Sequence, residues 1–549
     1  MTTDTPTNPI SASGTVLEQG RPLSQSLLWQ LQRDFFERQG IAAWSQVNVP
    51  HYITNNPFIA QAYARVVCGF LRDCRALDGA GGFPPLNPDE PVYIIELGAG
   101  PGRFAYHFLR SLTASLRGAG LQDVRICYVL TDFHDRLCEF WRTHARLEPF
   151  VTAGQMDFGR FDVAHDSSLT LDRSGKVLEP GTVKNPLVVI ANYCFDSVPQ
   201  DVFHFEKGQA FASTVTLSSP QPEPDLADPQ LLDRLEVACD YQPVNGTFYQ
   251  DAEWDGILDD YRHRLSNTNM LFPIAVLRGL RNLSLIAGGR MLLISGDKGI
   301  SRPEDLLGRR EPEIATHDGC FSLMVNYHAL GQYVVNRGGQ FLRTAHRQAH
   351  LDVCAFLWGP HPREYAETRL AYAEAVEHGG PDDFFVLKQA LEQRYDQLTP
   401  DQVLAHLRMS GWDSAVFLGC MPALLAKAEG LPETGRQELY WAAQQVWANY
   451  FPIGERLDLA FHIGMLLHAL RYYLEAIEFF RRSIQLYGLT PSTAYDLGVC
   501  HYELQQLSEA GAWADRALEL DPEYEPAKTL RIRIDAQLLR ATSATALPA

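Results

Sequence analysis

Apolar and polar positions along residues 23–49 and 57–79 recur at helical spacing, and Phe58, Ala62, Val66 and Phe70 fall at steps of four on one face. The pattern then changes. PVYIIELG (91–98) is a short, nearly continuous apolar run ending in glycine, which is how a strand buried on both faces of a parallel sheet reads. Runs of the same kind follow at 124–132 (VRICYVLTD), 150–157 (FVTAGQMD), 186–193 (PLVVIANY) and 290–297 (RMLLISGD). A helix-like segment, HDRLCEFWRTHARL (134–147), lies between two of them. Strands alternating with helices predict βαβ units and an open parallel sheet.

Between the fourth and fifth runs, LSSPQPEPDLADPQL (217–231) is rich in Pro, Asp and Ser and reads as a loop that opens an insertion. The insertion, expected to be helical, extends to about 285 and carries Tyr241, Phe248, Tyr249, Trp254 and Tyr261, which form either its core or a substrate wall.

From about 365 the pattern is helical only. Thr399-Pro400-Asp401 has the form of a helix start, with Thr as cap and Pro in the first turn. Gly464, Ala476, Phe480 and Ser483 recur 34 residues later as Gly498, Ala510, Ala514 and Ala517, and the second copy closes on Asp521-Pro522. Small residues at this period are the signature of tetratricopeptide (TPR) repeats, in which they let the two helices of a hairpin approach closely. A generic pair of helical hairpins is the competing reading. Two repeats are marginal alone, so helices before 456 are expected to pack on them as a cap.

The domains expected are therefore a disordered tail at 1–22, an α/β domain at 23–362 with its insertion at about 217–285, a helical linker region at 363–455, and repeats at 456–540. Composition narrows the functional classes. The net charge of -19 argues against free nucleic acid, which needs clustered Lys and Arg. No apolar stretch is long enough for a membrane span, and the polar start MTTDTPTNPISASG has no leader-like run. The ten cysteines are scattered without a C-x-x-C pair, so we expect no structural zinc, no metal site and a cytoplasmic location with reduced thiols.

The candidate chemistry centres on IIELGAGPGRF (94–104). A dinucleotide loop, G-x-G-x-x-G, would want glycine at 103, where the chain has Arg103. The pattern is instead Glu96, Gly98, Gly100, Gly102, the spacing of the class I S-adenosylmethionine (SAM) methyltransferase loop. Glycines allow a sharp turn and close approach to a ligand. The Glu96 carboxylate suits a ligand carrying sulfonium and ammonium charge better than a pyrophosphate. Asp132, at the end of the second strand, is placed to receive ribose hydroxyls, with Asp135 nearby as a helix cap. Asp157 after the third strand is a candidate for the adenine amino group, or a solvated loop residue. After the fourth strand, Asn192 and Asp196 are the polar groups expected nearest the methyl acceptor, although Asn192 to Pro199 also reads as a turn.

Together these segments resemble the MidA-like family, which includes the mitochondrial arginine methyltransferase that assists complex I assembly. Tyr52-Ile53-Thr54 is similar to its aromatic-x-Thr segment, ELGAGPGR (96–103) to its glycine loop, and Asn192, Phe195, Asp196 and Pro199 to its N-E-F-F-D-A-L-P segment. Val325-Asn326-Tyr327 with Ala329-Leu330 is similar to its V-[DN]-F-x-x-L stretch. The resemblance covers about residues 25–360 and implies a Rossmann-like class I SAM methyltransferase sheet. It also implies SAM as cofactor, Thr54 among the cofactor-binding residues and an arginine acceptor. The departures are Tyr193 for the family's Glu, Gly296-Asp297-Lys298-Gly299 for its Asp-Tyr-Gly, and Cys320 to Met324 for a run that carries Asp and His. Arginine methylation requires carboxylates that orient the guanidinium and help to deprotonate it. With Tyr193, only Asp196 of that pair remains. The expected function is a SAM-dependent methyltransferase acting on a protein acceptor recruited through its TPR repeats, by direct displacement with a base near Asp196. The alternative is a scaffold that kept the fold, lost the chemistry and works through the repeats.

Overall fold

The computed structural model describes residues 15–46, 49–77, 84–223, 225–228 and 230–545. It divides into two units, 1–386 and 387–549. Residues 1–14, the first part of the expected tail, lie outside the described residues.

In the first unit, β1 (Thr15–Pro22) precedes helices α1 (Leu27–Gln39), α2 (Ala42–Ser45) and α3 (Pro57–Ala76). Strand β2 (Val92–Leu97) runs into α4 (Arg103–Gly118), and β3 (Ile126–Asp132) into α5 (Asp135–Thr143). Then come β4 (Met156–Arg160), a small hairpin of β5 (Leu169–Thr170) and β6 (Val177–Leu178), and β7 (Leu187–Asn192). The chain continues through β8 (Asp201–Glu206), β9 (Gln209–Ser219), β10 (Glu236–Pro243) and β11 (Thr268–Phe272). It returns to β12 (Met291–Asp297), a hairpin of β13 (Ala315–His317) and β14 (Cys320–Ser322), and finally β15 (Gln340–Leu342) and β16 (Asp352–Trp358).

Seven of these strands form the central sheet, in the order β15-β16-β12-β7-β2-β3-β4. The contacts β12–β7, β7–β2, β2–β3 and β3–β4 are parallel, while β16 runs antiparallel to both its neighbours. The first five crossover strands thus follow a doubly wound order, and the one reversed strand departs from a dinucleotide-binding sheet. Both faces are covered. Every residue of β2 and β3 is buried, as the continuous apolar runs predict.

Four expectations need correction. Residues 15–22, assigned to a disordered tail, form β1 and pair with β9, because alternate side chains such as Leu17 pack on a buried cluster around Leu217. The third strand, expected at 150–157, begins at Met156; residues 148–152 are a short helix with Pro149 in its first turn. The insertion, expected to be helical, is chiefly a second antiparallel sheet of β1, β8, β9, β10 and β11, and it begins at 201 rather than 217. Its aromatics are mostly core: Trp254 and Tyr261 are buried and Tyr249 packs against them. The edge strands β15 and β16 were outside the expected set. Finally, the region at 363–455 is not one linker: helix Ala366–Tyr372 belongs to the first unit, where Asp73 on α3 accepts from the Glu367 and Thr368 N–H groups at 3.1 and 2.7 Å.

In the second unit, Thr399 and Gln402 make the reciprocal capping box expected of that helix start. Helices Leu459–Ala469, Tyr473–Tyr487, Pro491–Glu503 and Leu507–Leu520 form two hairpins, followed by Glu525–Thr545. Helices Ser414–Ala428 and Glu433–Asn449 share a buried core with the first hairpin, as expected of a cap. The small repeat positions lie between the helices of each hairpin: a Cβ on Gly464 would stand 2.7 Å from the Phe480 ring. Overpacking of this kind costs about 1–3 kcal/mol. Gly464→Val is therefore expected to speed hydrogen exchange in residues 459–487 while β2 and β3 stay protected. Unchanged exchange in the hairpin would mean that this close approach does not stabilise it.

Candidate functional site

Strand β2 must turn into α4 within a few residues, and Gly98, Gly100 and Gly102 do so with φ of 60°, 51° and 76°. Each is also pressed by a side chain. A Cβ on Gly98 would lie 3.3 Å from the Cys194 sulfur, one on Gly100 3.1 Å from Trp44, and one on Gly102 3.1 Å from Trp141. Trp141 Nε1 donates to the Gly100 carbonyl at 2.9 Å, which fixes the loop from beneath.

Two cavities meet above this loop and share Phe36, Trp44, Gly98, Tyr193 and Ser197 as a wall. The larger, about 590 Å³, includes Asp132, Phe133 and Asp162; the smaller, about 110 Å³, includes Thr54, Asn55, Glu96, Gly100, Asn192 and Asp196. An elongated ligand occupying both would run along Gly98 beneath Trp44, whose indole stacks on Phe36 with centroids 5.7 Å apart.

The structure brings together most of the residues chosen from sequence. Glu96 is buried and accepts from the Tyr128 hydroxyl at 2.8 Å. Burial lifts its carboxyl to about 8; the Tyr128 hydrogen bond opposes this and Asp132 adds to it. Asp132 accepts from the Phe133 N–H at 2.9 Å, and burial lifts it to about 7. His134, whose Nε2 is 3.7 Å from Asp132, is pushed down to about 4 by burial, so it stays neutral and offers no counter-charge. Asn192 holds the Tyr63 hydroxyl on Oδ1 at 2.8 Å, while its Nδ2 is buried without a partner. Tyr193 takes a left-handed backbone with φ 47°, an uncommon conformation for a bulky residue and one that marks strained sites. Thr54 lines the smaller cavity with its hydroxyl donated to the His51 carbonyl at 3.2 Å.

Two of the chosen residues stand elsewhere. Gly102 caps α4 and lines neither cavity. Asp157 lines neither cavity: it accepts from the Phe158, Arg173 and Ser174 N–H groups and the Ser174 hydroxyl at 2.8–3.1 Å, tying β4 to the β5–β6 hairpin. With its oxygens saturated by structure, it has little to offer a ligand. The acid that lines the larger cavity on this side is Asp162, held by Arg33 at 2.8 Å. Burial alone would raise Asp162, but His165, Arg33 and the Ala164 N–H outweigh it and hold the carboxyl below its usual range.

Asp297, at the end of β12, also escaped the sequence reading. It is fully buried and accepts from the Phe195 and Asp196 N–H groups at 3.2 Å each and from the Lys298 N–H at 3.0 Å, so it positions the turn that carries Asp196. The two carboxyls are near enough for the charge on Asp196 to act on Asp297. Burial raises Asp196 to about 6, and burial with the Asp196 charge raises Asp297 further. Like charges this close share a proton, as paired carboxyls do. The only visible signal in sequence was the Gly296-Asp297-Lys298-Gly299 departure. Trp44 left no local signal, and the hairpin carrying His317, Cys320 and Ser322 over the smaller cavity showed in sequence only as the Cys320 to Met324 departure.

Residues 457–488 and 491–524 match the tetratricopeptide repeat family model. The second unit carries two tetratricopeptide repeats. No curated protein matches the chain. Among solved structures, an uncharacterised COG1565 superfamily protein from Burkholderia thailandensis is similar at 14% identity over 63% of this chain and 90% of that one, with TM-score 0.38. Another member of that superfamily from the same organism, bound to S-adenosyl-homocysteine, is similar at 13% identity over 56% and 77%, with TM-score 0.35. Among the described residues no helix is long and apolar enough to cross a membrane.

Glu96 yields a test of this electrostatic picture. Between about 4.5 and about 8 the folded chain keeps a proton on Glu96 that the unfolded chain has released, so the stability it contributes is full below 4.5 and lost as pH rises through about 8. Wild type should lose thermal stability from pH 5 to pH 8. Glu96→Gln, which still offers Tyr128 an acceptor, should lose less, by about 1.4 kcal/mol per pH unit of displaced titration. Parallel curves for the two proteins would refute the raised carboxyl.

Proposed function

We propose that this chain is a SAM-dependent methyltransferase of MidA-like type, with the adenosine end of the donor in the larger cavity and its amino-acid end in the smaller. The observation that carries this reading is the pair of joined cavities along the carboxyl ends of β2, β3 and β7, the edge at which open α/β sheets bind ligands. The chain's residues fit the group. Glycines at 98 and 100 leave room where a Cβ would fill the cradle, and Asp132 stands buried at the end of β3. Asn55 Oδ1 and Asn192 Nδ2 are buried polar atoms without partners around the smaller cavity. The donor supplies a methyl activated by positive sulfur. Glu96 offers a carboxyl that a cation would draw back to its ionised form, and Asp132 receives hydroxyl donors. Asn192 and Asp196 orient the acceptor, and Asp196, raised toward neutrality, takes its proton. Their main contribution is alignment of acceptor and methyl.

The acceptor is a protein presented with help from the TPR hairpins, which offer repeat surfaces for a peptide. Arginine is the acceptor that the family resemblance suggests, but Tyr193 stands where a second carboxylate would assist it. That substitution, with Trp44 lying across Gly100, favours a second reading: a donor-binding scaffold without turnover.

Calorimetry with S-adenosylhomocysteine tests the cradle. Wild type should bind, Asp132→Asn should bind more weakly, and Gly100→Val should show no binding heat, since its side chain meets Trp44 from a left-handed backbone. Equal affinity in wild type and Gly100→Val would overturn the assignment. Incubation with SAM and cell extract then separates the two readings: release of S-adenosylhomocysteine supports the enzyme, and binding without release across many extracts supports the scaffold.

A further inference from the structure

The smaller cavity does not end at Asp196. Lys298, which follows Asp297, lines it and also lines a separate cleft of about 510 Å³ bounded by Ile300–Asp305 and His346–Leu351. Arg302, Arg309 and Arg347 converge on this cleft with His346 and His350. The acids that face it are Glu304, Asp305 and Asp352.

These charges do not cancel. Asp305 is taken up by Arg347 at 2.7 Å. Asp352 is raised by burial, so it is the weakest of the three as a counter-charge. Among the lining residues this leaves Glu304 as the fully effective acid beside three further cations, Lys298, Arg302 and Arg309. Arg302 uses one N–H on the Thr344 carbonyl at 2.9 Å, and Arg309 uses its own on the Asp305 carbonyl at 3.3 Å and the Met324 sulfur at 3.1 Å, so each guanidinium keeps donors to spare. Among the described residues no ion pair or hydrogen bond holds the Lys298 ammonium, and its charge bears on Asp196 instead. In a chain of net charge -19, a cleft with surplus cations is a local reversal of the mean field, and such concavities concentrate ions of the opposite sign.

We propose that this cleft binds a compact oxyanion, a phosphate or carboxylate, carried by the methyl acceptor. The proposal rests on the reading of the adjoining cavities as a methyl-transfer site. Lys298 stands where the two spaces meet, so an acceptor anchored in the cleft by its oxyanion reaches past Lys298 to Asp196. Guanidinium groups suit either anion, since both present paired oxygens to a planar fork of donors.

The test is calorimetry on the full chain at low ionic strength, titrating inorganic phosphate and, separately, succinate. Wild type should bind at least one, and the stronger of the two identifies phosphate or carboxylate as the anchor. Arg302→Gln/Arg309→Gln should weaken that binding about tenfold or more, with S-adenosylhomocysteine affinity unchanged. Glu304→Gln, which removes the opposing charge, should strengthen it and serves if the double variant fails to fold. Absence of binding by both anions, or equal binding in all three proteins, overturns the cleft proposal while leaving the donor site intact. Loss of S-adenosylhomocysteine binding in wild type would instead strike the reading on which the proposal rests.

Discussion

The site depends on how tightly the turn after β2 is made. Three left-handed glycines bring the chain from the sheet centre into α4, and Cys194, Trp44 and Trp141 close against their Cα atoms from different elements. Any Cβ at Gly98 or Gly100 would intrude on that packing and on the shared wall of the two cavities. The loop therefore fixes the position of Glu96 before it and the start of α4 after it, and through Cys194 it touches the turn that carries Asp196. The glycine loop and the turn that carries Asp196 are thus mechanically one construction.

Around that turn the sheet gathers buried acids: Glu96, Asp132, Asp196 and Asp297, each raised chiefly by burial. Asp162, paired with Arg33, is the contrast. A group of raised, weakly compensated carboxyls favours a ligand that brings positive charge, because such a ligand stabilises their ionised form. Beyond Lys298 the balance changes sign. The gradient from acids at the strand ends to cations in the neighbouring cleft would orient a ligand whose two ends carry opposite charge.

Much of this was legible in the sequence. Runs buried on both faces gave strands at 92–97, 126–132, 187–192 and 291–297, since a doubly covered parallel strand has no polar face to confuse the pattern. The glycine spacing located the loop, and the small residues at a period of 34 located the hairpins. The failures have physical causes. In the second sheet β1 and β10 are exposed or half-buried along their length and carry no continuous apolar run, so their signal is weaker, and β1 finds its partner nearly two hundred residues later in β9. Asp157 opens β4 and Asp162 lies just past its end; only tertiary hydrogen bonds distinguish the one that ties down a hairpin from the one that lines a cavity. Trp44 and Asp297 matter through contacts with residues far along the chain, which no local pattern encodes.

The most direct measurement is an experimental structure with S-adenosylhomocysteine bound. The adenosine is expected beside Asp132 and Asp162, the chain of the ligand passing Gly98, and the sulfur directed toward Asn192 and Asp196 in the smaller cavity. A ligand bound outside the two joined cavities, or lying in them with its adenosine against Asp196, would contradict this placement.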